Sequence, residues 1–208
     1  PTDFRNLTPK MMVKEGDVVK AGTPVFADKR NPDILFTSPV SGTVDAIVRG
    51  EKRKLLEVRI KSDNSGSAVK FNVPTGFFVE RESIIKVLLE SGLWPCIKQR
   101  PYGTIADPSV TPKAIFISAM ATAPLAAELE YVLEGEFDAV QAGLTVLGKL
   151  TEGGVHLSLD ACTANAGNLN KFEGVVYHYF KGPHPAGNVG VQISHISPIS
   201  KGETLWTV

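Results

Sequence analysis

The sequence predicts an α+β protein in two parts, a small β domain over residues 1–74 and an α/β domain over residues 75–208. Three observations carry this. Residues 10–73 break into short, evenly punctuated β-type runs. A polar stretch, "KSDNSGSAVKF", interrupts the chain near residue 70, as an exposed loop at a domain boundary does. Beyond it, helical and strand-like patterns alternate, which implies a largely parallel sheet with helices packed on it.

The first part opens with "MMVKEGDVVKAGTPVFADK". Glu15-Gly16-Asp17 and Ala21-Gly22-Thr23-Pro24 are turn signals, with valines and a phenylalanine between them. "DILFTSPVSGTVDAIVRGEKRKLLEVRIK" repeats the pattern: strand Ile34–Phe36, turn Ser38–Gly42, strand Thr43–Val48, turn Arg49-Gly50, strand Leu55–Ile60. Strands this short suggest a small sandwich or barrel.

In the second part, "VERESIIKVLLESG" places Ile84, Ile85, Leu88 and Leu89 on one helical face, and Gly92 can cap its end. "GLWPCIKQRPYGTIADPSVTP" is proline-rich and reads as irregular. Ala114–Ser118 reads as a buried strand. A loop, Ala119–Ala123, leads to a helix with Pro124 in its first turn. Gly135 breaks it, and a second helix runs to about Leu150. "VHLSLDA", "GVVYHYF" and "VQISHISPIS" read as strands.

Charge is balanced, 22 basic residues against 22 acidic, so nothing favours nucleic acid or an anionic membrane. Cys96 and Cys162 are far apart with no CxxC spacing, which fits reduced cysteines in a cytosolic protein. No signal peptide and no apolar run of spanning length is visible. The chain opens at Pro1 without an initiator methionine and reads as a piece of something longer.

Candidate chemistry is sparse. His156, Ser158 and Asp160 alternate along one strand and lean to one face, but there is no GxSxG elbow, and an exposed polar face explains them better than a triad. Glu128, Glu130, Glu134 and Glu136 read as a solvated helix surface. "GPHPAGNVG", Gly182–Gly190, has the outline of a phosphate loop. Two prolines donate nothing, a strand is expected after it, and neither GxxxxGK[ST] nor GxGxxG is present. Gly187 and Gly190 still permit close approach to a flat ligand or a partner, with His184 either a hydrogen-bond donor to a carbonyl or a solvated side chain.

"KEGDVVKAGTPVFADK" and "FTSPVSGTVDAI" resemble the biotinyl/lipoyl-type barrel-sandwich hybrid, with "EGD" and "SPVSGTV" at turns between layers. That likeness raises Lys29 as a swinging-arm attachment site. The short spacing from "EGD" and the following Arg30-Asn31-Pro32 favour a scaffold instead.

At greater length, "MMVKEGDVVKAGTPVFADKRNPDILFTSPVSGTVDAIVRGEKR", "LLESGLWPCIKQRPYGTIADP", "AIFISAMATAPLA" and "GPHPAGNVGVQISHISP" resemble the NqrA family. These are peripheral subunits of the bacterial sodium-translocating NADH:quinone oxidoreductase. The likeness covers nearly the whole chain and implies a fragment lacking an N-terminal stretch and a C-terminal domain. More distantly, the family is related to RnfC and to the flavin subunit of complex I, whose fold the α/β domain then shares. There, "SGLRGRGGAGFPTG" surrounds the FMN phosphate; here the matching segment is "SGLWPCIKQRPYG". "NADExEPG" becomes "SAMATAPLA", and "GAGAYxCGEE" becomes "GPHPAGNVG". These departures imply a degenerate flavin site.

The resemblance further implies a subunit with no catalytic residues and no covalently bound cofactor, with FMN, FAD and iron–sulfur centres in other subunits. It implies docking on the membrane subunit NqrB at the cytoplasmic side of the inner membrane, without spanning it, and a part in ubiquinone binding. An apolar slot with a donor or two for the quinone carbonyls is expected among Trp94, Phe116, Met120, His184 and Gly187. The rival readings are a purely structural assembly module and a carrier domain modified at Lys29.

Overall fold

The computed structural model describes residues 3–74, 79–163 and 167–208. The junction expected at 74/75 abuts residues 75–78, which lie outside the described residues. The chain divides into two compact units: Pro1–Ile97 with Gly103–Ala106, and Lys98–Tyr102 with Asp107–Val208.

The first unit holds two antiparallel three-stranded sheets. One comprises β1 (Pro9–Met11), β3 (Pro24–Asp28) and β4 (Leu35–Thr37) in the order β1-β3-β4. The other comprises β2 (Val18–Val19), β5 (Gly42–Arg49) and β6 (Leu55–Ser62) in the order β2-β5-β6. Val19, Val25, Ala27, Val44 and Leu55 are buried from β2, β3, β5 and β6, with Ile34 just before β4. The "EGD" turn is latched to β5: Gly16 N–H donates to Val44 O (2.8 Å) and Val44 N–H to Asp17 O (2.9 Å). At Gly42 a Cβ would overlap the Lys61 carbonyl of the paired strand, so only glycine allows this approach.

Helix α1 (Arg81–Glu90) also belongs to this unit and buries Ile84 and Ile85. Gly92 ends it at φ +75°. The stretch expected to be irregular contains a 3₁₀ turn (Trp94–Cys96), β7 (Lys98–Arg100) and β8 (Thr104–Ile105). Two of its prolines sit where they cost no ladder bond, Pro95 inside the 3₁₀ turn and Pro101 just past β7.

The second unit is built on β9 (Ile115–Ser118), β10 (Val155–Asp160), β11 (Val175–Phe180) and β12 (Leu205–Thr207). With β7 they run in the order β11-β10-β9-β12-β7; β9 to β12 are mutually parallel and β7 is antiparallel to β12. Val155, Leu157 and Leu159 are buried on one face of β10; His156, Ser158 and Asp160 share the other, which is not the exposed face expected, since Ser158 is 1% exposed and His156 and Asp160 are half-buried.

Two further expectations are corrected here. The helix expected from Pro124 does not form. Leu125 sits at φ +59°, which a right-handed helix cannot contain, and α2 is one turn, Leu129–Val132. Gly135, at φ +82°, separates it from α3 (Phe137–Gly148), the break and second helix the sequence predicts. The largest correction is "VQISHISPIS". It forms helix α4 (Val189–Ile196), not a strand. Val189, Ile193 and Ile196 fall at helical spacing and pack with Ala114, Phe116 and Leu205. Tertiary packing outweighs the β-branched residues' preference for strands.

Candidate functional site

In a parallel sheet, ligands bind beyond the carboxyl ends of the strands. Here the end of β9 meets the loop that feeds α4. Ser118 closes β9, and its Oγ donates to the Gly187 carbonyl (2.9 Å). The same oxygen accepts from Gln192 Nε2 (3.0 Å), which also donates to Ala186 O (3.1 Å). Gln192 is fully buried on the first turns of α4, and its side chain reaches back toward the helix start. From the loop after β9, Thr122 Oγ1 accepts the Gly187 N–H (2.9 Å) and lies 3.3 Å from His184 Nδ1. Gly187 is wedged: a Cβ there would stand 2.6 Å from Met120 O and 2.7 Å from Thr122 Oγ1.

Four expected site residues thus belong to the second unit, around this junction. Gly187 is its centre. Met120 is buried at 5% exposure, and His184 is exposed above Thr122. Phe116, at 1% exposure, lies in the core under α4 with its ring against His156 (centroids 4.5 Å apart). Trp94 belongs to the first unit, where it is wholly buried and its indole N–H donates to Ala106 O (2.8 Å). Ser118, Thr122 and Gln192 were not expected. Their roles depend on pairing across up to 74 residues, and hydroxyl and amide side chains carry no local signal of that.

The loop Gly182–Asn188 does lead into a helix, so the strand expected after it is no objection to an anion cradle. A different one applies. Pro183 and Pro185 have no N–H; Ala186 N–H is spent on Pro183 O, Gly187 N–H on Thr122 and Asn188 N–H on Pro185 O. The loop satisfies its own donors and keeps few to offer a phosphate.

The remaining candidates separate. His156 Nδ1 lies 2.8 Å from His178 Nε2, on the neighbouring strand, rather than engaging Ser158. Burial lowers the His156 pKa. Burial, then the neighbouring His156, lowers that of His178. Glu130 Oε1 accepts from Asn168 N–H and Nδ2; with Glu128, Asp160 and Thr163 it lines a cleft of about 180 Å³. Among the described residues no group of three or more metal-competent side chains occurs. Lys29 is exposed just past β3.

The description "NqrA second alpha/beta domain" matches residues 79–208, and "NqrA N-terminal barrel-sandwich hybrid domain" matches residues 1–63. The chain belongs to the NqrA family. A barrel-sandwich hybrid domain is thus followed by the NqrA α/β domain, and the family match assigns residues 81–97 to the second although they cluster with the first compact unit. The chain is similar to the NqrA component of the Na(+)-translocating NADH-quinone reductase of Serratia proteamaculans, at 39% identity over 212 residues, covering 99% of this chain and 46% of the relative. The component of the same name from Photorhabdus laumondii is 41% identical over 207 residues, covering 98% and 46%. That of Yersinia pseudotuberculosis is 40% identical over 208 residues, covering 99% and 46%. The chain therefore spans about half the length of these NqrA relatives. Among its described residues no helix is long and apolar enough to cross a membrane.

Proposed function

We propose that this chain works as part of the NqrA component in a sodium-translocating NADH:ubiquinone reductase. It supplies no reacting group of its own. It contributes a ubiquinone contact and a surface that docks on NqrB at the cytoplasmic side of the membrane, while flavins and iron–sulfur centres in other subunits carry the electrons.

The observation that carries the quinone reading is the Thr122–His184 pair beside Gly187. Gly187 N–H fills one lone pair of Thr122 Oγ1. The hydroxyl hydrogen is then free to go to His184 Nδ1, 3.3 Å away. That bond holds the His184 proton on Nε2, facing outward as a donor for a carbonyl oxygen. Met120 and Phe116 support the junction from below, and Trp94 acts through the fold of its own unit.

A second reading, a purely structural assembly module, is favoured by the wedge at Gly187. With Met120 O and Thr122 Oγ1 against it, the junction is filled by protein.

Calorimetric titration with a short-tailed ubiquinone, with FMN as control, separates the two. The proposal expects heat from the quinone, lost in His184→Ala and in Thr122→Val, and none from FMN. Quinone heat that survives both substitutions moves the contact elsewhere. No heat from either ligand supports the structural reading.

A further inference from the structure

We propose that His156 and His178 form a binding site for one divalent transition-metal ion of the Zn²⁺ or Ni²⁺ type. The pair stands apart from the junction at Gly187 and plays no part in the quinone reading.

The geometry comes from two parallel strands. His178 on β11 is in register with Ser158 on β10, two positions beyond His156, so the rings meet diagonally. Their planes are 11° apart, their centroids 5.1 Å apart, and the facing nitrogens 2.8 Å apart. Two rings stacked face to face cannot bring atoms this close, because carbon and nitrogen faces stop at about 3.5 Å. The rings therefore meet edge to edge, with His156 Nδ1 and His178 Nε2 pointing at each other along nearly one line. Phe116 lies against the His156 ring at 4.5 Å and 15° and holds its plane.

Imidazole nitrogen suits Zn²⁺, Ni²⁺ and Cu²⁺ alike. Two nitrogens on one such ion, each at about 2.0–2.1 Å, stand roughly 3 Å apart. To share an ion the pair must open by a few tenths of an ångström, and each ring must turn by about 40° within its plane so that the two lone pairs converge. In the hydrogen-bonded pair one of the facing nitrogens carries a hydrogen. On metal binding that hydrogen moves to the remote nitrogen of the same ring. Both lone pairs then face the ion, and no net proton is released while both rings are neutral.

The surroundings favour the neutral rings a metal requires, since burial disfavours the charge on both. Both side chains are half-buried, which leaves a path for an ion and its waters. Among the described residues no third His, Cys, Asp or Glu joins the pair, so water completes the coordination. Closed four-ligand sites are structural. A site with two protein ligands exchanges its ion and suits sensing or inhibition.

The chain has four histidines, which makes the test clean. Substoichiometric Ni²⁺ is added to the unmutated protein and the imidazole NMR signals are followed. His156 and His178 should broaden first, with His184 and His195 sharp. Zn²⁺ calorimetry should give one site per chain, lost in His156→Gln and in His178→Gln, retained in His184→Gln and His195→Gln. Any other broadening pattern, or Zn²⁺ binding that survives both pair substitutions, overturns the site and leaves a simple proton-sharing pair. The NMR arm needs no variant, so misfolding of a substituted chain cannot mask the result.

Discussion

Gly187 sits beneath the Met120 carbonyl so closely that a Cβ would stand 2.6 Å from it. Neither neighbour can yield cheaply. Met120 O and Thr122 N are backbone atoms, and Gly187 is itself held at both its N–H and its carbonyl. Gly187→Ala is expected to cost about 1–3 kcal/mol through overpacking. Urea unfolding checks this as a lower midpoint with an unchanged slope. A wild-type midpoint would mean that the two loops are looser than this contact implies.

Ser118 carries three roles in the same junction. It donates to Gly187 O, accepts from Gln192 and closes β9. Ser118→Ala leaves one carbonyl and one buried amide hydrogen without their partner, a loss of about 1–3 kcal/mol. Gln192→Leu removes the buried amide altogether, so the double substitution should cost less than the sum of the two. A double-mutant cycle measures that difference. Strict additivity would show that the two side chains do not interact.

The pair His156–His178 sets the response to mild acid. Both pKa values lie below the ordinary 6.5 in the folded chain, chiefly through burial. The unfolded chain therefore binds more protons as pH falls through about 6.5. This contribution to stability is fully present above that pH and is lost on going down through the folded values. The Asp63 and Glu203 carboxyls are also held low, by Ser41 and by Lys113. Their ordinary values, 3.8 and 4.5, put their losses in more acidic solution. A fall in the urea midpoint between about pH 7 and about pH 5 thus belongs to the histidines. It should flatten in a His156→Gln, His178→Gln double variant. A flat profile in the unmutated chain would contradict the burial of the pair.

Much of this architecture was legible in sequence because periodicity reports burial. The valines around Gly16 and Gly22 alternate as strands do, and Ile84 and Ile85 mark the buried stripe of α1. The failures have two causes: at Pro124 the backbone turns left-handed at Leu125, which no periodicity reveals, and at α4 the pattern is ambiguous. Where the chain is short and apolar on every side, period is ambiguous and tertiary contact decides. In "VQISHI", Val191 and Ile193 suggest alternation, yet Val189, Ile193 and Ile196 form the stripe that meets Phe116. The candidate site was less legible still. His184 and Gly187 stand out as loop residues, but Ser118 matters through partners 69 and 74 residues away and Thr122 through one 65 residues away.

Trp94 offers the last test, because its role differs from that of the exposed His184. Its side chain is wholly enclosed, and its indole N–H donates to Ala106 O at 2.8 Å. Trp94→Phe keeps most of the apolar bulk and removes that donor. The expected cost is about 1–3 kcal/mol, the price of a buried carbonyl losing its hydrogen bond. His184→Ala, at an exposed position, should leave stability within about 0.5 kcal/mol. Thermal or urea unfolding of the two variants gives the comparison directly. If Trp94→Phe is neutral while His184→Ala is destabilising, the roles are reversed. The Trp94–Ala106 bond would then contribute little to stability, and His184 would be a structural pin for the loop before α4.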